Sequence, residues 1–413
     1  MGGNYKTVGV AEVAEINPDS ISNGYPHRVI EYIDISSVDR GNLLTTKLLS
    51  LDEAPSRAKR LIRDGDTIIS TVRPGRRAYL FVDGLSKNTV VSTGFAVLRP
   101  NPEYLDERFL YYAVTSNRFI DNLSKQVTGS AYPAVSATVI GSSKIPLPPQ
   151  SEQRQIADIL GSLDDRMGIN RSMNETLEQM AQTIFQSWFI DFDPVKAKAE
   201  GRKPYGMDAH TAALFPDEFV ESDLGLIPNG WSVQKIKDVA KLRNGKRPNV
   251  KEDIGSPTHN IPIYGGAGPM AYTDKPLYEA DVLITGRVGT LGQIHRISTP
   301  VWPSDNTIVL FPVKPELFDF IRLQLERLSL AALNRGSTQP LLTQKDIKEQ
   351  ALVVPPSFIL SRFDQLCRSL FNLIENNNSQ NQTLNDIRDA LLPRLVLGEI
   401  RVPDAHGVTK EVL

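Results

Sequence analysis

The residues best suited to chemistry in this sequence are arginines and lysines gathered at two places. Between positions 57 and 77 stand seven basic and two acidic residues, and between 235 and 251 seven basic residues accompany one acidic residue. Charge runs are often only solvated surface. Here Arg73, Arg76 and Arg77 directly follow a segment typical of a β-strand, so they stand where a loop leaves a sheet. One basic block in each half of the chain therefore predicts two surfaces that attract phosphate groups.

Residues in and near these blocks carry the donors and acceptors that contact nucleic acid. In the first half the candidates are Arg57, Lys59, Arg60, Arg73, Arg76, Arg77, Ser130 and Tyr132. In the second half they are Lys246, Arg247, Tyr264, Arg287, Ser337 and Gln339. Such side chains hydrogen-bond either phosphates or base edges in the major groove. The sequence does not decide between these two kinds of contact.

Composition limits the class of protein. A chain of 413 residues with a net charge of −2 indicates two to three domains and argues against a protein that binds nucleic acid over its whole surface. The single cysteine, Cys367, excludes an internal disulfide framework and favours a reducing compartment. No apolar run approaches 18 residues, so we expect no membrane span and a cytoplasmic protein.

Two long helices must position these loops. After Pro148-Pro149 the chain runs without another proline to Pro194, with apolar residues at alternating spacings of three and four. This spacing predicts a helix with a coiled-coil interface, and about 40 residues at 1.5 Å each give about 60 Å. The predicted interface residues of this helix are Ile156, Ile159, Leu163, Asn170, Leu177, Met180 and Ile184.

The same stretch occurs twice. An offset of 207 residues that places Gly129 on Gly336 also places Pro148-Pro149 on Pro355-Pro356, and it continues without a gap through a second helix. The predicted interface residues of that helix are Phe363, Leu366, Leu370, Asn377, Leu384, Ile387 and Leu391. Asn170 falls on Asn377, and a polar residue at such a position fixes register and partner number in a coiled coil. The repeat therefore predicts a second long helix with the same kind of coiled-coil interface.

The repeat defines the predicted domain organisation. We expect α/β domains at 1–147 and 231–354, long helices at 148–193 and 355–400, a connector at 194–230 and a tail at 401–413. The strand Thr67–Val72 before Arg73 has its counterpart in Asp281–Gly286 before Arg287. The predicted fold class is therefore α/β (α+β), with two tandem domains and two long helices in an internal pseudo-two-fold repeat.

Several of these motifs resemble a known family. The entry to the first helix, Ile145-Pro146-Leu147-Pro148-Pro149 followed by Glu152-Gln153 and Ile156, resembles the specificity subunit of Type I restriction–modification enzymes. The stretches Trp188–Lys198 and Leu391–Ile400 are similar to the central and C-terminal regions of that family. The resemblance covers essentially the whole chain. The second copy departs from the pattern, because Ser357–Leu360 replaces the Gln150–Gln153 of the first.

The resemblance implies a function for each part. Each α/β domain would be a target recognition domain that reads one half of a split site in double-stranded DNA. The two long helices that join the domains would pack as an antiparallel coiled coil and set the spacing. The chain itself would be non-catalytic and hold no cofactor. It would recruit two modification subunits that use S-adenosylmethionine and two restriction subunits that use ATP and Mg²⁺.

Two other classes of protein stay open. Asn101-Pro102-Glu103-Tyr104 nearly fits the Asn-Pro-Pro-Tyr motif of DNA amino-methyltransferases, and residues 264–268 are rich in glycine. A strand–glycine-loop–helix pattern with a following acidic residue, which a cofactor site requires, does not accompany either stretch. The five histidines have no metal-ligand spacing. The third class is a coiled-coil scaffold, which would have no affinity for DNA.

Overall fold

The chain forms two compact units, each assembled around parts of both long helices. A computed structural model describes residues 5–22, 24–128, 133–336 and 340–409, and for 406–409 only the backbone is considered. The first unit comprises Met1–Ser172 and Asn377–Leu413, and the second comprises Met173–Asn376. The long helices α5 (Gln150–Phe189) and α11 (Ser357–Val396) each have 40 residues and contribute one half to each unit. Among the described residues, no helix is both long and apolar enough to cross a membrane.

The first unit contains a mixed α/β domain, here called domain 1. Its strands are β1 (Lys6–Gly9), β2 (Ala14–Ile16), β3 (Val29–Ile33), β4 (Val38–Asp39), β5 (Asn42–Leu43), β6 (Lys47–Ser50), β7 (Ala58–Leu61), β8 (Thr67–Ser70), β9 (Tyr79–Phe81), β10 (Thr89–Ser92), β11 (Phe95–Pro100) and β12 (Lys144–Leu147). Its helices are α1 (Val10–Val13), α2 (Glu107–Thr115), α3 (Asn117–Ser124) and α4 (Ala137–Ser142). The helix α12 (Val402–Thr409) also belongs to this unit.

The second unit contains a domain with the same plan, here called domain 2. Its strands are β15 (Ser232–Lys235), β16 (Ala240–Asn244), β17 (Ile261–Gly265), β18 (Gly268–Thr273), β19 (Val282–Gly286), β20 (Ile294–Ile297), β21 (Trp302–Pro303), β22 (Thr307–Pro312) and β23 (Ala351–Val354). Its helices are α8 (Ile236–Val239), α9 (Phe318–Arg327) and α10 (Gln344–Lys348). The segment before it forms α6 (Asp193–Ala199), α7 (Ala209–Ala213) and the hairpin of β13 (Phe219–Ser222) and β14 (Gly225–Pro228).

The sheets of the two domains have matching strand orders. One sheet runs β2-β11-β8-β9 in domain 1 and β16-β22-β19-β20 in domain 2, antiparallel throughout. The other runs β6-β3-β10-β7 in domain 1 and β18-β17-β21 in domain 2. Each of these second sheets holds one parallel pair, β3 with β10 and β17 with β21. The repeat expected from the sequence is therefore present in the strand topology.

Each unit pairs the two long helices in antiparallel order. In the first unit Leu163 and Met167 of α5 pack on Leu384 of α11. In the second unit the Phe189 ring of α5 lies 4.9 Å from the Phe363 ring of α11, centroid to centroid. Earlier residues of α5 thus meet later residues of α11, as the predicted antiparallel coiled coil requires.

A buried polar layer lies in the first unit's part of the helix pair. Asn170 is 2% exposed, and its amide group donates hydrogen bonds to Gln380 Oε1 and Asn381 Oδ1, both at 2.8 Å. A buried amide is stable only where partners satisfy it, so these partners specify the alignment of the helices. Asn377, the counterpart of Asn170 in the repeat, is half-buried.

In the first unit the other interface residues predicted from the sequence are mostly well packed. The buried ones are Ile156, Ile159, Leu163, Leu384 and Leu391, and Ile387 is half-buried.

In the second unit the most buried positions stand one residue later than the heptad places them. The heptad pattern predicts Met180 and Ile184 at the interface, but Met180 is 47% exposed and Ile184 is half-buried. The buried residues are instead their neighbours Ala181 and Phe185. In the same way, α11 buries Cys367 and Phe371, whereas the predicted Leu366 and Leu370 are half-buried. Leu177 and Phe363 are buried as expected.

This shift has a physical reason. A straight helix drifts by about 20° per heptad relative to a strict 3.5-residue repeat. In this unit the long helices also pack on domain 2, because Phe185 contacts Phe320 of α9 at 5.9 Å between ring centroids. The buried face therefore serves two neighbours at once.

Domain 1 is attached to the start of α5 by the motif residues that follow the proline pair. Gln153 is 1% exposed; its side chain accepts a hydrogen bond from Asp106 N and donates to the carbonyl oxygens of Tyr104 and Pro148. Satisfying a buried amide at three points fixes the angle between helix and domain. At the equivalent position of the second copy, Leu360 is 2% exposed in an apolar core instead.

Candidate nucleic-acid interface

The arginines that follow β8 form a tight turn at the edge of domain 1. Residues Pro74–Arg76 make one turn of 3₁₀-helix between Arg73 and Arg77, whose φ angles are +47° and +59°. Non-glycine residues rarely adopt this left-handed conformation, and such strain is found preferentially at functional sites. The backbone N–H of Arg73 donates to Pro133 O at 2.9 Å, which fixes the turn. Its geometry is therefore imposed by the surrounding domain.

The three arginines of this turn have different surroundings. The side chains of Arg73 and Arg76 are exposed. Arg77 is anchored to α3, because its guanidinium donates to Asn117 Oδ1 at 2.6 Å and lies 3.4 Å from Asp121 Oδ1. Arg73 and Arg76 are thus accessible to an external ligand, while Arg77 also holds the turn in place.

Arg57 lines a cleft together with residues of this turn. The cleft, called here the Arg57 cleft, has a volume of about 690 Å³, and its lining includes Asp34, Arg57, Arg73, Arg76, Ser92 and Thr93. The Arg57 guanidinium donates through Nε to the Tyr32 hydroxyl at 3.1 Å and lies 3.7 Å from Asp34 Oδ2. The structure therefore brings together three candidates from distant points of the sequence.

Asp34 organises one wall of the cleft. It ends β3 and caps the 3₁₀ turn Ile35–Ser37, where its Oδ1 accepts hydrogen bonds from the Ser36 backbone N–H and hydroxyl. Burial alone would raise the pKa of Asp34, but the bonds from Ser36 and the charge of Lys47, 3.5 Å away, lower it below its ordinary value. The carboxylate is therefore ionised at neutral pH. An Asp followed by Ile-Ser-Ser at a strand end is a turn signal that the sequence analysis missed.

Two further candidates of domain 1, Lys59 and Arg60, lie on β7. Lys59 is exposed, and Arg60 is half-buried, with burial lowering the pKa of its guanidinium. Ser130 and Tyr132 lie outside the described residues. The assignment of all these residues to DNA contact stays a prediction.

In domain 2 several candidates adjoin the short strand β21. The Lys246 backbone N–H donates to Pro303 O at 3.0 Å, and its carbonyl accepts from Trp302 Nε1 at 2.7 Å. The preceding Gly245 permits this approach, because a Cβ there would stand 2.1 Å from the Ser304 carbonyl oxygen. The Lys246 and Arg247 side chains are thus held at the surface, where both are exposed.

Tyr264 lies beside the same strand. This residue is near the tip of the β17–β18 hairpin and is half-buried, with its ring centroid 5.5 Å from that of His295. Burial raises the pKa of its hydroxyl. Arg287 follows β19 and is half-buried; its backbone N–H donates to Asn306 O at 2.8 Å. Ser337 and Gln339 lie outside the described residues. These candidates also stay predictions.

The two stretches that suggested an enzyme have ordinary structural roles. Asn101 accepts a hydrogen bond from Glu103 N through its side chain and forms the turn before α2. The glycine-rich stretch 264–268 is the tip of a hairpin between two strands. A glycine-rich cofactor site instead requires a loop between a strand and a helix. Among the described residues, no group of three or more His, Cys, Asp or Glu is placed to hold a metal ion.

Comparison with known proteins defines the class to which this fold and site belong. The family model described as the Type I restriction modification DNA specificity domain matches residues 3–179 and 228–385. The chain belongs to this family.

The relatives are specificity subunits. The chain is 29% identical to the Type I restriction enzyme HindI specificity subunit of Haemophilus influenzae, over 92% of this chain and 95% of that protein. It is 27% identical to the MjaIX specificity subunit of Methanocaldococcus jannaschii, over 79% and 77%. The crystal structure of the Type I restriction–modification system S subunit from M. genitalium shares the fold with a TM-score of 0.56 at 16% identity, covering 95% of this chain and 96% of that one.

Proposed function

We propose that this chain is the DNA-sequence specificity subunit of a Type I restriction–modification complex. Domain 1 reads one half of a bipartite site in double-stranded DNA and domain 2 reads the other half. The paired long helices set the spacing between the half-sites and dock the modification subunits. The protein acts in the cytoplasm, where its DNA target lies.

One observation carries this proposal: the two domains share a strand order but differ in the residues at equivalent loops. The parallel pair β3–β10 of domain 1 ends beside Asp34 and Arg57, whereas the pair β17–β21 of domain 2 ends beside Lys246 and the Tyr264 hairpin. A shared frame with different donors and acceptors suits two readers of different base sequences. The family match over both halves supports the same reading.

The division of labour within the complex is part of the proposal. The chain itself performs no catalysis and binds no cofactor. Two modification subunits supply methyl transfer from S-adenosylmethionine, and two restriction subunits supply ATP- and Mg²⁺-dependent translocation and cleavage. The specificity subunit then decides only where on DNA the complex assembles.

The test is a methylome of a host that expresses this chain together with its modification subunits. We expect methylation at a single bipartite motif with a fixed gap between its halves. Exchanging domain 2 for that of a relative should change one half of the motif and leave the other. A contiguous motif, or a motif that does not depend on this chain, would refute the proposal.

Two measurements on the purified chain separate the alternative classes. Transfer of labelled methyl groups to DNA by this chain alone would identify it as a methyltransferase. An absence of any affinity for DNA, both alone and with the modification subunits, would identify it as a scaffold. We expect neither outcome.

A further inference from the structure

The Arg57 cleft of domain 1 holds its arginine in a fixed orientation. Tyr32, which accepts from Arg57 Nε, is 1% exposed, and Asp34, 3.7 Å from the other end of the guanidinium, is 8% exposed. The Arg57 backbone is also fixed, because its carbonyl accepts from the Thr93 N–H at 2.8 Å. Even so, the Arg57 side chain is 57% exposed at the mouth of the cleft. A polar side chain is thus oriented toward solvent by two buried residues.

This arrangement suits a base edge better than a phosphate. A carboxylate 3.7 Å away offsets the guanidinium charge, which weakens attraction to a phosphate. Guanine offers two uncharged acceptors, O6 and N7, which lie in one plane. The two parallel N–H donors of a planar guanidinium can bond both of them at once. Fixing the fork in advance reduces the ordering entropy that each hydrogen bond costs. Tyr32 and Asp34 therefore fix the orientation of the Arg57 guanidinium and do not strengthen its positive charge.

We infer that Arg57 is a specificity-determining residue of domain 1 that reads a guanine in the major groove, with Tyr32 and Asp34 as its positioning residues. Arg73 and Arg76, which line the same cleft and are exposed, contact the sugar–phosphate backbone. The inference rests on the proposed function, since it names which base chemistry one of the two recognition domains selects.

Domain 2 has no equivalent of this arrangement within the described residues. Strand register places Tyr264 of β17 opposite Pro303 of β21, just as Ile33 of β3 lies opposite Val91 of β10. The residue after Tyr264 is Gly265, which stands where domain 1 has Asp34. The guanine preference conferred by Arg57 therefore belongs to one half-site only.

The experiment is a binding selection with the full-length chain, produced together with its modification subunits, on double-stranded oligonucleotides randomised over both half-sites. Arg57→Ala should lose the preference for guanine at one position of one half-site, with about a ten- to hundredfold weaker affinity for the original site. Arg57→Lys should restore little of that preference, because an ammonium group lacks the fork. Tyr32→Phe should weaken the same preference at the same position. The other half-site should be unchanged in all three variants, which also reports that the protein is folded.

The matched control is Arg63→Ala. Arg63 is 68% exposed and pairs with Asp19 at 2.8 Å, so it resembles Arg57 in exposure and in having a carboxylate partner, but it lies outside the cleft. We expect the same motif as for the unmodified protein.

Two outcomes overturn the inference while the proposed function stands. One is an unchanged base preference in Arg57→Ala. The other is an equal loss of affinity on every sequence, with a salt dependence whose slope falls by about one, which identifies a phosphate contact. If the unmodified complex selects no bipartite motif, the proposed function itself fails.

Discussion

The ion-pair cluster around Arg322 in the second unit gives the sharpest prediction about stability. Arg322 is 5% exposed on α9 of domain 2, and its Nη1 donates to Glu178 Oε1 of α5 at 2.7 Å and to Glu326 Oε1 at 2.9 Å. Its guanidinium carbon lies 4.6 Å from the centre of the Phe371 ring of α11. Burial alone would lower the pKa of Arg322, but Glu326 and Glu178 raise it overall. One charged side chain therefore joins the recognition domain to both long helices.

Arg322→Met removes this buried charge and leaves Glu178 and Glu326, whose side chains are 32% and 29% exposed, without their donor. Because water reaches these carboxylates in part, the expected cost is that of lost hydrogen bonds to charged groups, about 1.5–3 kcal/mol. For a unit of this size, about 2–4 °C is lost per kcal/mol, so the midpoint of its thermal unfolding should fall by about 3–12 °C. Differential scanning calorimetry on the full-length chain measures the shift.

A double-mutant cycle with Glu178→Gln isolates the contact between domain 2 and α5. Residues in direct contact couple by about 0.5–3 kcal/mol, so the double variant should be less destabilised than the sum of the single ones. The control is Arg327→Met, which removes an exposed arginine from the same helix and should shift the midpoint little. If Arg322→Met unfolds at the unmodified temperature, or if the cycle shows strict additivity, the argument for this cluster is wrong.

Three further predictions concern the helices and the segment between the halves. Deleting one matched heptad from each long helix, residues 166–172 with 379–385, should shorten the gap in the selected DNA motif by about three base pairs, since seven residues span about 10 Å. Asn170→Ala should lower the free energy of unfolding by about 1–3 kcal/mol in urea titrations, because the buried amide and its two hydrogen bonds to the half-buried Gln380 and Asn381 are lost. Hydrogen bonds from Thr211, with Arg362, lower the pKa of Asp208 to about 2 from its ordinary 3.8; its stabilising contribution is present above about pH 4 and should be lost as the pH falls toward 2.

Each of these has a control and a contrary result. An unchanged gap in the heptad deletion would refute the role of the helices in spacing, provided that both half-sites keep their sequences. Arg171→Ala, exposed beside Asn170, should leave stability unchanged in the same titrations. Asp208→Asn should flatten the acid dependence between pH 4 and 2, and an equal slope in both proteins would show that another group controls it.

The long helices and the repeat were predictable because they rest on signals that extend over many residues. Helices expected at 148–193 and 355–400 occur as α5 and α11, both beginning just after their proline pairs. Strand signals were also informative, since the predicted strand Thr67–Val72 contains β8. The second copy forms its long helix even though Ser357–Leu360 replaces the motif of the first, because Leu360 is buried in an apolar core where Gln153 made hydrogen bonds.

The connector and the tail were harder to predict because their order comes from tertiary packing. The segment 194–230 lacks sustained periodicity, yet it forms short elements, and its Phe215 and Ile227 are buried in the second unit's core. The tail likewise forms α12, with Val402 and Ala405 buried. Elements of four to eight residues are too short for a periodic signal.

The constellation in the Arg57 cleft escaped prediction for a different reason. Arg57 was a candidate from its charge, but Tyr32 and Asp34 stand more than 20 positions earlier and meet it only through the folded sheet. The parallel pairing of β3 with β10, which forms one side of this region, also joins segments that are not adjacent in sequence. Local patterns report elements, whereas partners across a sheet depend on topology.

The two units differ in how their chain segments are arranged, and this has a consequence for biosynthesis. The second unit is one continuous stretch, Met173–Asn376, whereas the first needs Asn377–Leu413 to join Met1–Ser172. At about 5–20 residues per second, a ribosome takes about 10–40 s to deliver that missing piece. The domain translated first is thus the last to be completed. Until then the apolar side of its helix, with Leu163 and Met167, lacks Leu384 and is exposed to aggregation for longer the more slowly the chain is translated.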